Sequence, residues 1–231
     1  MSKSIHDGHR ERLRQEIIKN GFNESTPDHK ILEFLLFYCI SRKDTNPLAH
    51  NLINHFGSFA NVLDAPFEEL AAFEGMGERS ALLLKSIMPI SRLYVNKKKS
   101  DNKYFKDIDA IGDFAVNQFL GITSERVGVI SLDAKGKLLG FDFIAEGDVS
   151  SVSISAREVL SYLYRRNAVT AVLVHNHPSG FAVPSEIDSK ITARLVSALR
   201  EAGVYLIDHI IVGNDDFVSM SQSKKYSYIF E

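Results

Sequence analysis

Apolar residues recur every third or fourth position over 10–20, 28–40, 46–56, 66–73 and 78–95. This is the spacing of helices that bury one face. Gly21, Gly57 and the triplet Gly75-Met76-Gly77 fall between these runs, where the chain must turn. Asp28 and Asn46 stand where N-caps are expected, and Pro47 suits a first helical turn because the N–H it lacks has no intrahelical partner there. The pattern then breaks at Asn96-Lys97-Lys98-Lys99-Ser100-Asp101-Asn102-Lys103, which is polar and has no apolar face. It reads as a linker over 97–106, separating a helical domain at 1–96 from a second domain at 107–231. In the second domain helical spacing at 108–120, 156–166 and 186–202 alternates with strand-like runs. The strands are read at 127–132, 138–145, 149–154, 169–174, 205–212 and 217–220. Asp133-Ala134-Lys135-Gly136 is a hairpin turn, and Gly203 ends the last helix. The fold class is α+β: an all-helical amino-terminal domain, then a mixed sheet flanked by helices.

Composition narrows the class. Hydrophobic residues make up 45% and charged residues 24% of the 231 positions, as in ordinary globular chains. The net charge of −2 does not mark a dedicated nucleic-acid binder or a membrane-surface protein. Its distribution is uneven: residues 1–106 carry 16 Lys and Arg against 13 Asp and Glu, and residues 107–231 carry 11 against 16. Cys39 is the single cysteine and sits in an apolar run, so it reads as a buried thiol in a chain suited to a reducing compartment. The first residues lack the apolar core of a signal peptide, and no apolar stretch approaches the roughly 18 residues of a membrane span. A soluble, cytoplasmic protein without a membrane partner is expected.

The densest chemistry lies at His175-Asn176-His177-Pro178-Ser179-Gly180, followed by Pro184-Ser185 and Asp188. His175 and His177 end an apolar strand, and the period of two sends both imidazoles to one face. With Asp188 they supply three ligands and leave a fourth position open, the donor set of a catalytic zinc. Such a site also needs a general base for the attacking water and a donor for the oxyanion, for which the Ser185 hydroxyl is a candidate. Ser185-x-x-Asp188 is equally the pattern of a helix capping box, and the two roles are compatible. Zinc nucleobase deaminases need His-x-Glu and a downstream Cys pair, but here His177 fills the glutamate position and there is no second cysteine. The His-Glu-x-x-His motif, a glycine-rich phosphate loop and a Gly-x-Ser-x-Gly elbow are also missing.

The spacing His-x-His-Pro, six residues, then Ser-x-x-Asp resembles the JAMM (MPN+) metalloprotease motif, and more closely its RadC branch. Arg157-Glu158 and Asp208-His209-Ile210-Ile211-Val212-Gly213 resemble the same family, over roughly residues 107–231. Phe181-Ala182-Val183 departs from it, standing where the family usually has a more polar run containing proline. The resemblance implies a JAMM/MPN-like, cytidine-deaminase-like sheet domain, a zinc cofactor, and a peptide or protein substrate. It also implies a water-ordering glutamate at the start of the first strand, a placement matched by Glu125. Glu158 competes for that role and is assigned a supporting one beside Arg157. His209 is either a partner of the metal ligands or a structural histidine.

In the helical domain, Gly75-Met76-Gly77-Glu78-Arg79 has the form of a helix–hairpin–helix turn, whose outward N–H groups can hold a phosphate. Gly75, Gly77, Arg79 and Lys85, with the lysine run at 97–99, are the candidate DNA contacts; Glu74 and Glu78 oppose them. Gly8-His9-Arg10-Glu11-Arg12-Leu13 and Ser41-Arg42-Lys43-Asp44-Thr45-Asn46-Pro47 also look like the amino-terminal part of RadC-like proteins. Two functions stand open: a zinc-dependent peptidase or isopeptidase hydrolysing an amide bond, and a non-catalytic DNA-binding factor in repair or recombination with a structural or vestigial metal site.

Overall fold

A computed structural model of the chain describes residues 8–41, 43–99, 103–147 and 154–231, with the side chains of 96, 98 and 99 left out. It divides into two compact units, Met1–Ser91 and Arg92–Glu231. The first unit is helical: α1 (His9–Asn20), α2 (Asp28–Leu36), α3 (Asn46–Phe56), α4 (Phe59–Asp64), α5 (Phe67–Ala72) and the first part of α6 (Glu78–Lys99). Leu32, Leu36, Leu52, Val62, Leu70 and Leu84 form its core. The His9-Arg10 pair docks α1 on α2 and on the turns between α2 and α3. Arg10 donates to the carbonyls of Ile40 and Lys43 and lies over the Phe37 ring, and His9 Nε2 meets the buried Glu33 carboxylate at 2.6 Å.

Several elements differ from their sequence pattern. The helix read over 28–40 stops at Leu36, and the chain tightens into turns through Tyr38 N–H to Leu35 and Cys39 N–H to Leu36. Asp28 and Asn46 are not N-caps: Pro27 and Thr45 occupy those positions. The Asp28 carboxylate instead accepts the N–H of Phe59, which opens α4, and the Asn46 amide donates to Glu33. α4 itself, six residues capped by Ser58, has no counterpart among the helices read from the sequence. α6 continues to Lys99, so residues 97–99 of the stretch read as linker are helical, as suits lysines. The two units divide within this helix.

The second unit contains α7 (Ile108–Phe119), β1 (Arg126–Leu132), β2 (Leu138–Glu146), α8 (Ala156–Arg165), β3 (Thr170–Asn176), α9 (Glu186–Glu201), β4 (Tyr205–Val212), β5 (Phe217–Ser219) and a closing 3-10 turn at Ser227–Phe230. The sheet order is β2-β1-β3-β4-β5. Among the described strands only β3 and β4 run parallel, as the α9 crossover between them requires. Alternate strand residues feed two cores. Ile130, Leu132, Val172, Val174 and Ile210 pack with Ile111 and Phe114 of α7. Val127, Val129, Ala171, Leu173 and Ile211 pack with Leu163 of α8 and Leu195 and Leu199 of α9. The inner strands β1 and β3 are thus buried on both faces, which explains their near-continuous apolar runs. The strand read at 149–154 lies outside the described residues except Ile154, which is buried in the second of these cores. Among the described residues no helix is long and apolar enough to cross a membrane.

Candidate metal centre

The sheet parity that buries Ala171 and Leu173 against α8 and α9 carries His175, at the end of β3, to that same face. The antiparallel register pairs Val127 with His175, so Glu125 lies one residue before β1 and beside the imidazoles. Asn176, between the two histidines, joins these strand ends. Its Oδ1 accepts the N–H of Arg126 at 2.8 Å and its Nδ2 donates to the Ser124 carbonyl at 3.0 Å, bracketing Glu125 from both sides. The Gly147 N–H donates to the Glu125 carbonyl at 2.8 Å. Asp188 comes from the first turn of α9, where Ser185 and Asp188 form a reciprocal capping box.

These elements converge. His175 and His177 bring their Nε2 atoms to 2.8 Å, and Asp188 Oδ1 lies 3.4 Å from His175 Nε2, with Oδ2 4.0 Å from His177 Nε2. Ligand atoms of Glu125, His175 and His177 all lie within 4.8 Å of one another, a group able to hold a metal ion. Both carboxylates therefore reach the imidazole pair. A tetrahedral zinc with Zn–N near 2.05 Å sets its imidazole nitrogens roughly 3.3 Å apart, about half an ångström beyond the separation here, so the donor set fits with a small outward shift.

The electrostatics suit ligands. Burial holds the His175 imidazole down to about 4, with the Asp188 carboxylate opposing and His177 adding to the depression. His209, 1% exposed, is lowered well below its ordinary range by burial and by His175 and His177. Both rings are therefore neutral near pH 7, the state that binds metals. His177 Nδ1 donates to the Phe181 carbonyl at 3.0 Å, so Nε2 is the nitrogen turned toward His175.

Other residues fall into place around this core. Ser185 is exposed at its rim, and its hydroxyl donates to Asp188 Oδ2 at 2.6 Å while accepting the Asp188 N–H at 3.1 Å. His209 Nε2 lies 2.8 Å from His175 Nδ1, so His209 is a partner of that ring. Glu158 is exposed on the first turn of α8, and the acidic residue brought to the histidines is Glu125. Asn176 and Thr192 are the contributors that the sequence motifs pass over. The only local signal is that Thr192 follows Asp188 by one helical turn. In the helical unit, Gly75 and Gly77 take positive φ at the turn before α6, and Arg79 is exposed on its first turn. Lys85 is engaged elsewhere: its ammonium donates to the carbonyls of Leu63, Asp64 and Ala65 at the end of α4.

A family model described as a RadC-like JAB domain matches residues 105–226. A UPF0758 protein of Fusobacterium nucleatum subsp. nucleatum is 33% identical over 226 residues, covering 95% of this chain and 97% of its own. The chain belongs to the RadC family. A UPF0758 protein of Ruegeria pomeroyi is 36% identical over 205 residues, 89% of this RadC-family chain and 91% of the relative. The departure at Phe181-Ala182-Val183 now has a physical reading. Phe181 and Val183 are 74% and 66% exposed, while the Phe181 backbone holds His177. The contact to His177 is thus made by backbone and not by the Phe181 side chain.

Proposed function

We propose that the chain is a zinc-dependent peptidase or isopeptidase of JAMM type, with zinc held by His175, His177 and Asp188. The carrying observation is the convergence of two imidazole Nε2 atoms with the Asp188 and Glu125 carboxylates at the end of β3. Asp188 suits the ligand role because it is 2% exposed and its Oδ2 is oriented by the Ser185 hydroxyl and N–H. Glu125 suits the general base because it is half-buried and reaches the imidazoles from a strand end open to solvent on one side. A zinc held by these residues would supply a water of lowered pKa and would polarise the scissile carbonyl. Glu125 takes the proton of the attacking water and passes it to the amide nitrogen as the C–N bond breaks. Ser185 turns its hydroxyl from Asp188 Oδ2 to the developing oxyanion, the movement its exposed position favours.

The test is metal content and one variant. Mass spectrometry of the purified protein is expected to find one zinc per chain, and Glu125→Gln to keep that zinc while hydrolysis across a library of peptides and isopeptides drops by about 10²-fold or more. A protein that takes up no zinc, or a Glu125→Gln variant of undiminished activity, overturns this function. A second reading, contact of the helical unit with a nucleic-acid backbone, is favoured by the Gly75-Met76-Gly77 turn, where the glycines take φ of 87° and 136°.

A further inference from the structure

We propose that Thr192 and His209 form a relay that decides which nitrogen of His175 carries the proton, and thereby keeps Nε2 open to a metal; this rests on the proposed zinc function. The direction of the relay is set by one group that can only accept. Thr192 Oγ1 lies 2.6 Å from the Asp188 backbone carbonyl and 2.6 Å from His209 Nδ1. A carbonyl has no proton to give, so the single hydroxyl proton of Thr192 points to Asp188. Donation to Met220 Sδ at 3.9 Å would instead leave two oxygens with facing lone pairs at 2.6 Å. The Thr192 oxygen therefore accepts from His209 Nδ1–H. A neutral imidazole has one N–H, so His209 Nε2 is an acceptor, and the 2.8 Å contact to His175 is made by His175 Nδ1–H.

The consequence lies at the metal centre. His175 presents a lone pair at Nε2, and a neutral His177 ring does the same because its Nδ1 donates to Phe181. Two lone pairs then face one another at 2.8 Å, an arrangement that calls for a cation. With the other tautomer, His175 Nε2–H would donate to His177 Nε2 and the pair would satisfy itself, closing the site. Thr192 and His209 are positioning residues, both buried. Through Thr192 the helix that carries Asp188 also sets the tautomer of the strand ligand, so two ligands on separate elements are prepared together.

The tautomer is read directly, without substrate or metal, by long-range ¹H–¹⁵N correlation on the histidines of the metal-free full-length protein. His175 and His209 are expected to show protonated Nδ1 and unprotonated Nε2; a wild-type His175 protonated at Nε2 overturns the relay. Thr192→Val keeps the side-chain shape without the hydroxyl. It is expected to move His175 toward the Nε2–H form and to weaken zinc binding, measured by chelator competition, about 10- to 100-fold. Thr192→Ser is expected to restore both. A Thr192→Val protein with unchanged tautomer and affinity refutes the proposal. Failure of the wild type to take zinc while His175 shows Nδ1–H would remove the metal function and leave the relay standing.

Discussion

His175 and His209 are histidines that folding strips of water, and that leaves a signature in pH. The His175 imidazole sits at about 4 in the folded protein against an ordinary 6.5, and His209 is shifted in the same direction. Between those values the unfolded chain binds protons that the folded chain refuses. Stability of the metal-free protein is therefore fully present above pH 6.5 and falls as pH drops toward 4. One buried histidine shifted this far contributes on the order of 3 kcal/mol. Urea midpoints measured from pH 7 to pH 4 are expected to fall through this window, and a flat profile would contradict the buried neutral pair. Much of the centre at this scale was legible in sequence. A period of two puts His175 and His177 on one face, and Ser-x-x-Asp marks the start of a helix. Asn176 and Thr192 were not legible, because their partners at Ser124, Arg126 and His209 lie 52, 50 and 17 residues away.

At the scale of elements, the loop from β3 to α9 is held by a close backbone approach. A Cβ on Gly213 would stand 2.6 Å from the Gly180 carbonyl and 3.2 Å from the Ala182 nitrogen. Gly180 itself takes φ of 86° with the Asn214 side chain against it. Gly213→Ala must push the loop away and with it the Phe181 carbonyl that orients His177. The expected result is zinc affinity weakened about 10-fold, with far-ultraviolet circular dichroism unchanged; undiminished affinity would show that the loop does not need this contact. The elements themselves were read best where they are long and periodic. α3 and β4 match the expected 46–56 and 205–212. The six-residue α4 went unseen, and α2 ended early. Asp28 and Asn46 fitted the N-cap pattern, but their side chains serve a distant N–H and a distant carboxylate. Capping chemistry names a residue type, and only packing names its partner.

For the whole molecule, the mild positive excess before residue 107 and the turn at Gly75-Met76-Gly77 bear on contact with DNA. If that turn cradles phosphate, duplex DNA binds at low salt and affinity falls steeply as salt rises. Arg79→Glu combined with reversal of the lysine run at 97–99 is expected to abolish the binding in fluorescence anisotropy. Lys85→Ala is expected to leave it intact and to lower stability by about 1 kcal/mol, since Lys85 caps the carbonyls ending α4. No binding at low salt, or binding indifferent to charge reversal, would set this contact aside. By itself the sequence determined the change from helical period to mixed elements, the family, and His175, His177 and Asp188 as candidate ligands. Those are local matters: period selects a face, and neighbouring residues select a cap. Tertiary structure brings Glu125, and not the exposed Glu158, to the histidines, as the family resemblance implied, and it alone decided that His209 joins Thr192 to His175. Such choices depend on strand register and on the α9 crossover, which bring together residues whose separation along the chain carries no periodic mark.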